Sequence, residues 1–143
     1  MYSIVDHPIN IEELLGCIRD DSAGASLLFL GTVRDHNDRT KVAGIYYEAY
    51  VKMAEQAIAK IEKETLNSWK LKRFAAVHRI GHLKVGDISV AIAVSSEHRN
   101  EAFEAGRYAI DRIKSEVPIW KKERTTTGND SWVEGTPLGW DNY

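Results

Sequence analysis

Residues 99–118, RNEAFEAGRYAIDRIKSEVP, constrain this chain more than any other stretch. Phe103, Gly106, Ile110, Ile113 and Val117 recur at spacings of 3, 4, 3 and 4. That is one apolar stripe along a helix of period 3.6, and the spacing predicts a helix over 99–116. Pro118 ends it, since proline offers no N–H and pushes the residue before it into an extended conformation. PIWKKER then reads as a strand, with Ile119, Lys121 and Glu123 on one face and Trp120, Lys122 and Arg124 on the other. Where such a helix and strand meet at a corner, Lys114 and Lys121, seven residues apart, can reach one pocket.

The rest of the chain alternates helices with strand pairs. Asn10 is placed to cap a short helix over 11–19, with Glu12 and Glu13 in its first turn. ASLLFLGTVRD is apolar until Arg34, which suggests a strand buried on both faces. VAGIYYEAY is aromatic and β-branched, as strands are. Residues 51–67 put Ala54, Ala57, Ile58 and Ile61 on one helical face. FAAVHRIG is a strand, and GHLKVGDISVAIAVSS reads as a hairpin turning at Gly86-Asp87. Its second strand is small on one face, at Ser89, Ala91 and Ala93, which permits close approach of another layer. SWVEG is a short final strand. The order is roughly β-α-β-β-α-β-β-α-β-β, an α+β pattern: a largely antiparallel sheet with helices on one side.

With 143 residues the chain is the size of one domain, 1–143. Its net charge of -2 argues against a general nucleic-acid binder, so any anion site is local. Cys17, the only cysteine, allows no internal disulfide and reads as a core thiol on the first helix. The N-terminus lacks a basic signal region, and no run approaches the ~18 apolar residues of a membrane span. A cytoplasmic protein is the expectation. No glycine-rich phosphate loop, serine elbow or HExxH is present, and His78 and His82 are poorly spaced as metal ligands. No metal and no cofactor is expected.

Cations gather at three element ends. Arg34 follows the buried strand. His98 and Arg99 open the long helix, where free N–H groups and the helix dipole favour an anion. Lys114, Lys121 and Lys122 flank the Pro118 corner. The plain alternative is a set of solvated surface charges and a helix cap. The sharper reading is an anion site on which Arg34, His98 and Arg99 converge, with a catalytic amine.

GTVRDHN, YEAYVKMAEQAIAKIEKE, VHRIGHLKVGD, SSEHRNEAFEAGRYAIDRIKSEVPIWKKE and WVEG stand here in order. Together, over about residues 25–134, the chain resembles the large, catalytic subunit of molybdopterin synthase. The resemblance implies an α/β hammerhead-type fold, and a homodimer that binds two small ubiquitin-like partner subunits to form a heterotetramer. It implies a sulfurtransferase of molybdenum cofactor biosynthesis. The sulfur donor would be the partner's C-terminal Gly-Gly thiocarboxylate, and the substrate cyclic pyranopterin monophosphate. Matching the family's functional positions gives Thr32, Val33, Arg34, His98, Arg99, Lys114, Lys121, Lys122 and Glu123 as substrate-binding, with Lys114 and Lys121 catalytic. Thr32 stands where relatives can carry a lysine, and Gly135 where some carry an arginine. The competing reading is a non-catalytic anion-binding or regulatory domain.

Overall fold

The computed structural model of the chain describes residues 1–38, 40–128 and, as backbone, 130–132. Its order is β1 (Tyr2–Val5), α1 (Ile11–Cys17), β2 (Ala25–Thr32), β3 (His36–Asn37), β4 (Thr40–Ala49), α2 (Val51–Trp69), β5 (Arg73–Arg79), β6 (Gly81–Lys84), β7 (Ile88–Ser96), α3 (Arg99–Glu116), β8 (Ile119–Thr125) and β9 (Asp130–Trp132). The α+β class expected from sequence is what forms. From Val133 onward the expected last strand lies outside the described residues.

Local signals act where they were read. The Asn10 side chain accepts a hydrogen bond from the Glu13 N–H at 3.1 Å and starts α1. Lys70 adopts a left-handed conformation, φ 51°, and closes α2. α3 begins and ends as its stripe predicts, and Val117 before Pro118 is extended.

The strands divide into two sheets. The first has the order β1-β5-β7-β2; β1 runs parallel to β5 and the other pairs are antiparallel. In the second, β4 pairs with β8, with β3 near its start and with β6 further along, and β9 extends the β8 side. The expected hairpin of β6 and β7 therefore does not close on itself. Gly86, at φ 89°, makes the predicted turn, but β6 pairs with β4 while β7 pairs with β2 and β5. A tight turn fixes a change of direction; which ladder each arm joins is decided by distant partners.

Helices cover both faces of the first sheet rather than one. The main core joins Ile58 and Ile61 of α2, Ala105, Ala109 and Ile113 of α3, Val90, Ile92 and Val94 of β7, and Tyr47 and Ile119 of the second sheet. On the far side, Leu14 and Ile18 beside α1 pack on Ala75, Val77, Ala91 and Ala93. The small face of β7 admits α1, as its composition suggested. Cys17 is half-buried beside this second core, its Sγ 3.5 Å from Met1 Sδ. Gly106 lets α3 close onto β2, since a Cβ there would overlap Leu27. Phe103 departs from the predicted stripe: it is 62% exposed, and the buried face turns through Ala102 and Ala105 instead.

Candidate active site

The corner after α3 is tightly held. Val117 and Ile119 are fully buried, and the Ile119 N–H donates to the Val117 carbonyl at 2.8 Å. The Pro118 carbonyl accepts from Tyr50 N–H at 3.3 Å, which ties the corner to the start of α2. From this corner Lys114 projects from the last turn of α3 and Lys121 from β8.

Alternation along β8 is as the sequence implies. Ile119, Lys121 and Glu123 face inward, while Trp120, Lys122 and Arg124 are more open. Lys121 is only 5% exposed and Glu123 7%. Lys121 pairs in register with Tyr47, and Glu123 with Ile45. The Tyr47 ring meets His78 edge-on at 5.1 Å. His78 is buried, and its Nδ1–H donates to the Arg79 carbonyl at 2.9 Å. Burial pushes the His78 imidazole down to about 4, so this wall is neutral at neutral pH. The Asn37 amide donates to Glu123 Oε1 at 2.9 Å and holds that carboxylate from the β3 side. The motif containing Asn37 was visible in the sequence, but no local pattern linked it to a residue 86 positions away.

Lys114 lies half-buried in a groove between α3 and β2, a cavity of about 570 Å³ lined also by Leu27, Phe29, Phe103, Gly106 and Ile110. Thr32 and Arg34 are exposed at the end of β2, while Val33 between them is buried in the main core. The Val33 N–H donates to the Asp87 carbonyl at 2.9 Å, and its carbonyl accepts from Gly86 N–H at 2.8 Å.

The expected convergence of His98 and Arg99 with Arg34 does not form within one chain. β2 runs antiparallel to β7, with Ala25 opposite Ser96 and Thr32 opposite Ile88. The two residues follow Ser96, so they sit by the start of β2, and Arg34 lies past its end. At ~3.3 Å per residue the two groups are more than about 20 Å apart along the strand. His98 and Arg99 line a cavity of about 660 Å³ with Gly24, Asn100 and Phe103. Phe103 borders both cavities and joins them into one groove along α3. The folded chain thus places Lys114 and Lys121 on either side of one corner, and separates His98 and Arg99 from Arg34. The exposed Phe103 was missed in sequence because a five-residue stripe fits a helix face slightly rotated from the true one.

Among the described residues, no group of three or more His, Cys, Asp or Glu is placed to hold a metal ion. No described helix is long and apolar enough to cross a membrane. A family model described as MoaE protein matches residues 4–116. The chain belongs to this family. A molybdopterin synthase catalytic subunit of Thermoplasma volcanium is 45% identical over 129 residues, 90% of this chain and 94% of that one. The subunit of the same name from Halalkalibacterium halodurans is 43% identical over 132 residues, 92% of this chain and 84% of that one. The crystal structure of molybdopterin synthase from Staphylococcus aureus superposes with a TM-score of 0.88 at 41% identity, covering 93% of this chain and 96% of that one. This MoaE-family chain is accordingly an enzyme of molybdenum cofactor biosynthesis, with the catalytic part of molybdopterin synthesis as its function.

Proposed function

We propose that the chain moves sulfur from the thiocarboxylated Gly-Gly C-terminus of a small ubiquitin-like partner subunit onto cyclic pyranopterin monophosphate, building the dithiolene of molybdopterin. The observation that carries this reading is Lys121, almost removed from water on β8 and seven residues past Lys114 across the Pro118 corner. A buried ammonium is costly to fold, so its place is better explained by chemistry than by stability. Each transfer forms a carbon–sulfur bond at a substrate carbon as a carbon–oxygen bond there breaks, one releasing water and the other opening the cyclic phosphate; water then cleaves the tail's acyl–sulfur bond and converts the tail to a carboxylate. Two tails supply the two sulfurs. Lys114, at the groove, is the proton-transfer group and Lys121 the nearby charge. A second ammonium and partial desolvation both favour the neutral amine that a base needs. Arg34 holds the substrate phosphate, for which guanidinium geometry is suited.

His98 and Arg99 join this site from a second copy of the chain. β2 is an edge strand, and its groove with α3 is lined by Leu27, Phe29 and Phe103, the last 62% exposed. A dyad crossing that groove near its centre reverses the strand direction. It sets the His98–Arg99 end of one copy beside the Arg34–Lys114 end of the other. The homodimer, with one partner subunit on each copy, is the heterotetramer.

The test is reconstitution: protein, thiocarboxylated partner and cyclic pyranopterin monophosphate are mixed and molybdopterin is assayed. No product from the wild-type chain overturns the reading. Mixing inactive Lys114→Ala with inactive Arg99→Ala tests the shared site. Random re-pairing restores about a quarter of wild-type activity, because half the dimers then carry one intact site of two. No recovery means that each chain holds its whole site alone. The competing reading, a ligand-holding domain without catalysis, predicts binding of the pterin with no turnover.

A further inference from the structure

The outer face of the second sheet lies on the side of β8 away from Lys121. Three strands are in register there. Lys84 of β6 and Arg124 of β8 both pair with Gly44 of β4, and His82 and Lys122 both pair with Tyr46. Paired residues point to the same face, so these four side chains stand at the corners of a rectangle with Gly44 and Tyr46 on its midline. Adjacent strands lie ~4.8 Å apart, so Lys84 and Arg124 rise roughly 10 Å from each other. Between them is bare backbone: β4 passes so close to β6 that a Cβ on Gly44 would sit 2.7 Å from the Leu83 carbonyl oxygen. Beside this gap the Tyr46 ring lies 4.7 Å from the His82 ring, tilted by 43°. Together these residues line a cavity of about 640 Å³. On the same strands, Asp130 of β9 pairs with Arg124, and Glu48 follows Tyr46 two positions along β4.

Three permanent cations and a histidine in one rectangle run against a chain whose net charge is -2. Lys122 points to the opposite face of β8 from Lys121. We propose that this rectangle is a second ligand site, for a phosphate monoester carried on a flat heteroaromatic ring. The phosphate lies over Gly44 between Lys84 and Arg124, where one guanidinium supplies paired N–H donors and one ammonium a point charge. The ring lies on Tyr46 and His82. The volume exceeds what a lone phosphate fills and falls in the ~300–1,000 Å³ range of small-molecule sites. A pterin monophosphate and a purine nucleotide share this chemistry.

Calorimetric titration of the full chain at low salt tests the site, with GMP, a pterin monophosphate and ribose 5-phosphate as probes. One ring-bearing phosphate binds saturably per rectangle, and ribose 5-phosphate binds roughly tenfold or more weakly for want of stacking. Lys84→Ala and Arg124→Gln each weaken every probe. Tyr46→Leu removes the advantage of the ring and leaves ribose 5-phosphate unchanged. Molybdopterin formation by Lys84→Ala stays at the wild-type rate, which separates this site from the proposed reaction. Whichever of GMP and the pterin phosphate binds more tightly names the source. The proposal is overturned if no probe saturates, if Lys84→Ala and Arg124→Gln bind as wild type, or if ribose 5-phosphate matches GMP. It is also overturned if those variants lose the partner subunit while no phosphate binds, since the face is then a protein-docking surface.

Discussion

Lys121 and Lys122 are neighbours with the same side chain, yet they live in different solvents. Lys121 points inward beside Tyr47 and is 5% exposed; Lys122 points outward beside Tyr46 on an open sheet face. The outward lysine keeps its hydration and costs little. The inward one gives up water in a layer that Ile119 and Tyr47 would fill well without it. Glu123 repeats the pattern at 7% exposure, with Asn37 as a donor. A single strand thus separates a dry, polar inner face from a wet, cationic outer one. The same residue type carries different consequences on each.

The sharpest way to break this contrast is single-turnover sulfur transfer with saturating partner. Lys114→Ala is expected to fold and to lose roughly 10²–10⁴-fold in rate, the scale of a missing acid–base group. Lys121→Ala loses less, and Lys122→Ala least of all. If Lys122→Ala loses as much as Lys121→Ala, the two faces do not differ in function. Acid tests the dryness of the inner face. His78 is neutral when folded, with its pKa lowered from 6.5 to about 4. The unfolded chain therefore takes up a proton first as pH falls. The stability contribution of neutral His78 is full above about pH 6.5, lost as pH drops toward 4, and constant below that. The loss is on the order of 3 kcal/mol, and His78→Leu should flatten the denaturant midpoint against pH in that window.

Lys121→Met sharpens the contrast from the other side. Replacing a buried lysine by an apolar chain of like length leaves the group it contacts uncompensated, so stability should fall by about 3 kcal/mol while activity also falls. An unchanged or raised thermal midpoint would mean that Lys121 is held there at a net cost to the fold. Asn37→Ala leaves the Glu123 carboxylate without this donor and should cost about 1–2 kcal/mol in urea denaturation. The smallest effect belongs to Arg112, which links α3 to α2 through Glu64 at 2.6 Å and also meets Glu116 and Tyr108. Arg112→Gln should lower the midpoint by the equivalent of about 1 kcal/mol and leave sulfur transfer intact.

What was legible in the sequence was local. The α3 stripe and Pro118 gave a helix with the observed bounds, Asn10 gave the α1 cap, and alternation put Lys121 and Lys122 on opposite faces of β8. What was not legible depends on pairing across long stretches of chain. Nothing in GHLKVGDISVAIAVSS says that β6 leaves for β4. The separation of His98 and Arg99 from Arg34 follows only from the antiparallel register of β2 on β7. Composition likewise marked the small face of β7 as a packing surface, but not that α1 would take it while α2 and α3 took the other. The family's motif order supplied the functional reading; the distances between those motifs needed the fold.

The turn at Gly86-Asp87 binds more than two strands. The Asp87 carboxylate accepts from Lys84 N–H at 2.9 Å and lies 3.4 Å from Arg79, while the turn's backbone bonds Val33 twice and the Asp87 N–H donates to the Lys84 carbonyl at 3.0 Å. Three chain segments from both sheets are therefore riveted at one point, one residue before Arg34. Opening that point frees the loop after β2, the edge of β6 and the end of β5 at once. Amide exchange at Val33, Lys84, Gly86 and Asp87 should consequently behave as one cooperative unit, and the loop bearing Arg34 inherits its rigidity from a turn more than fifty residues away.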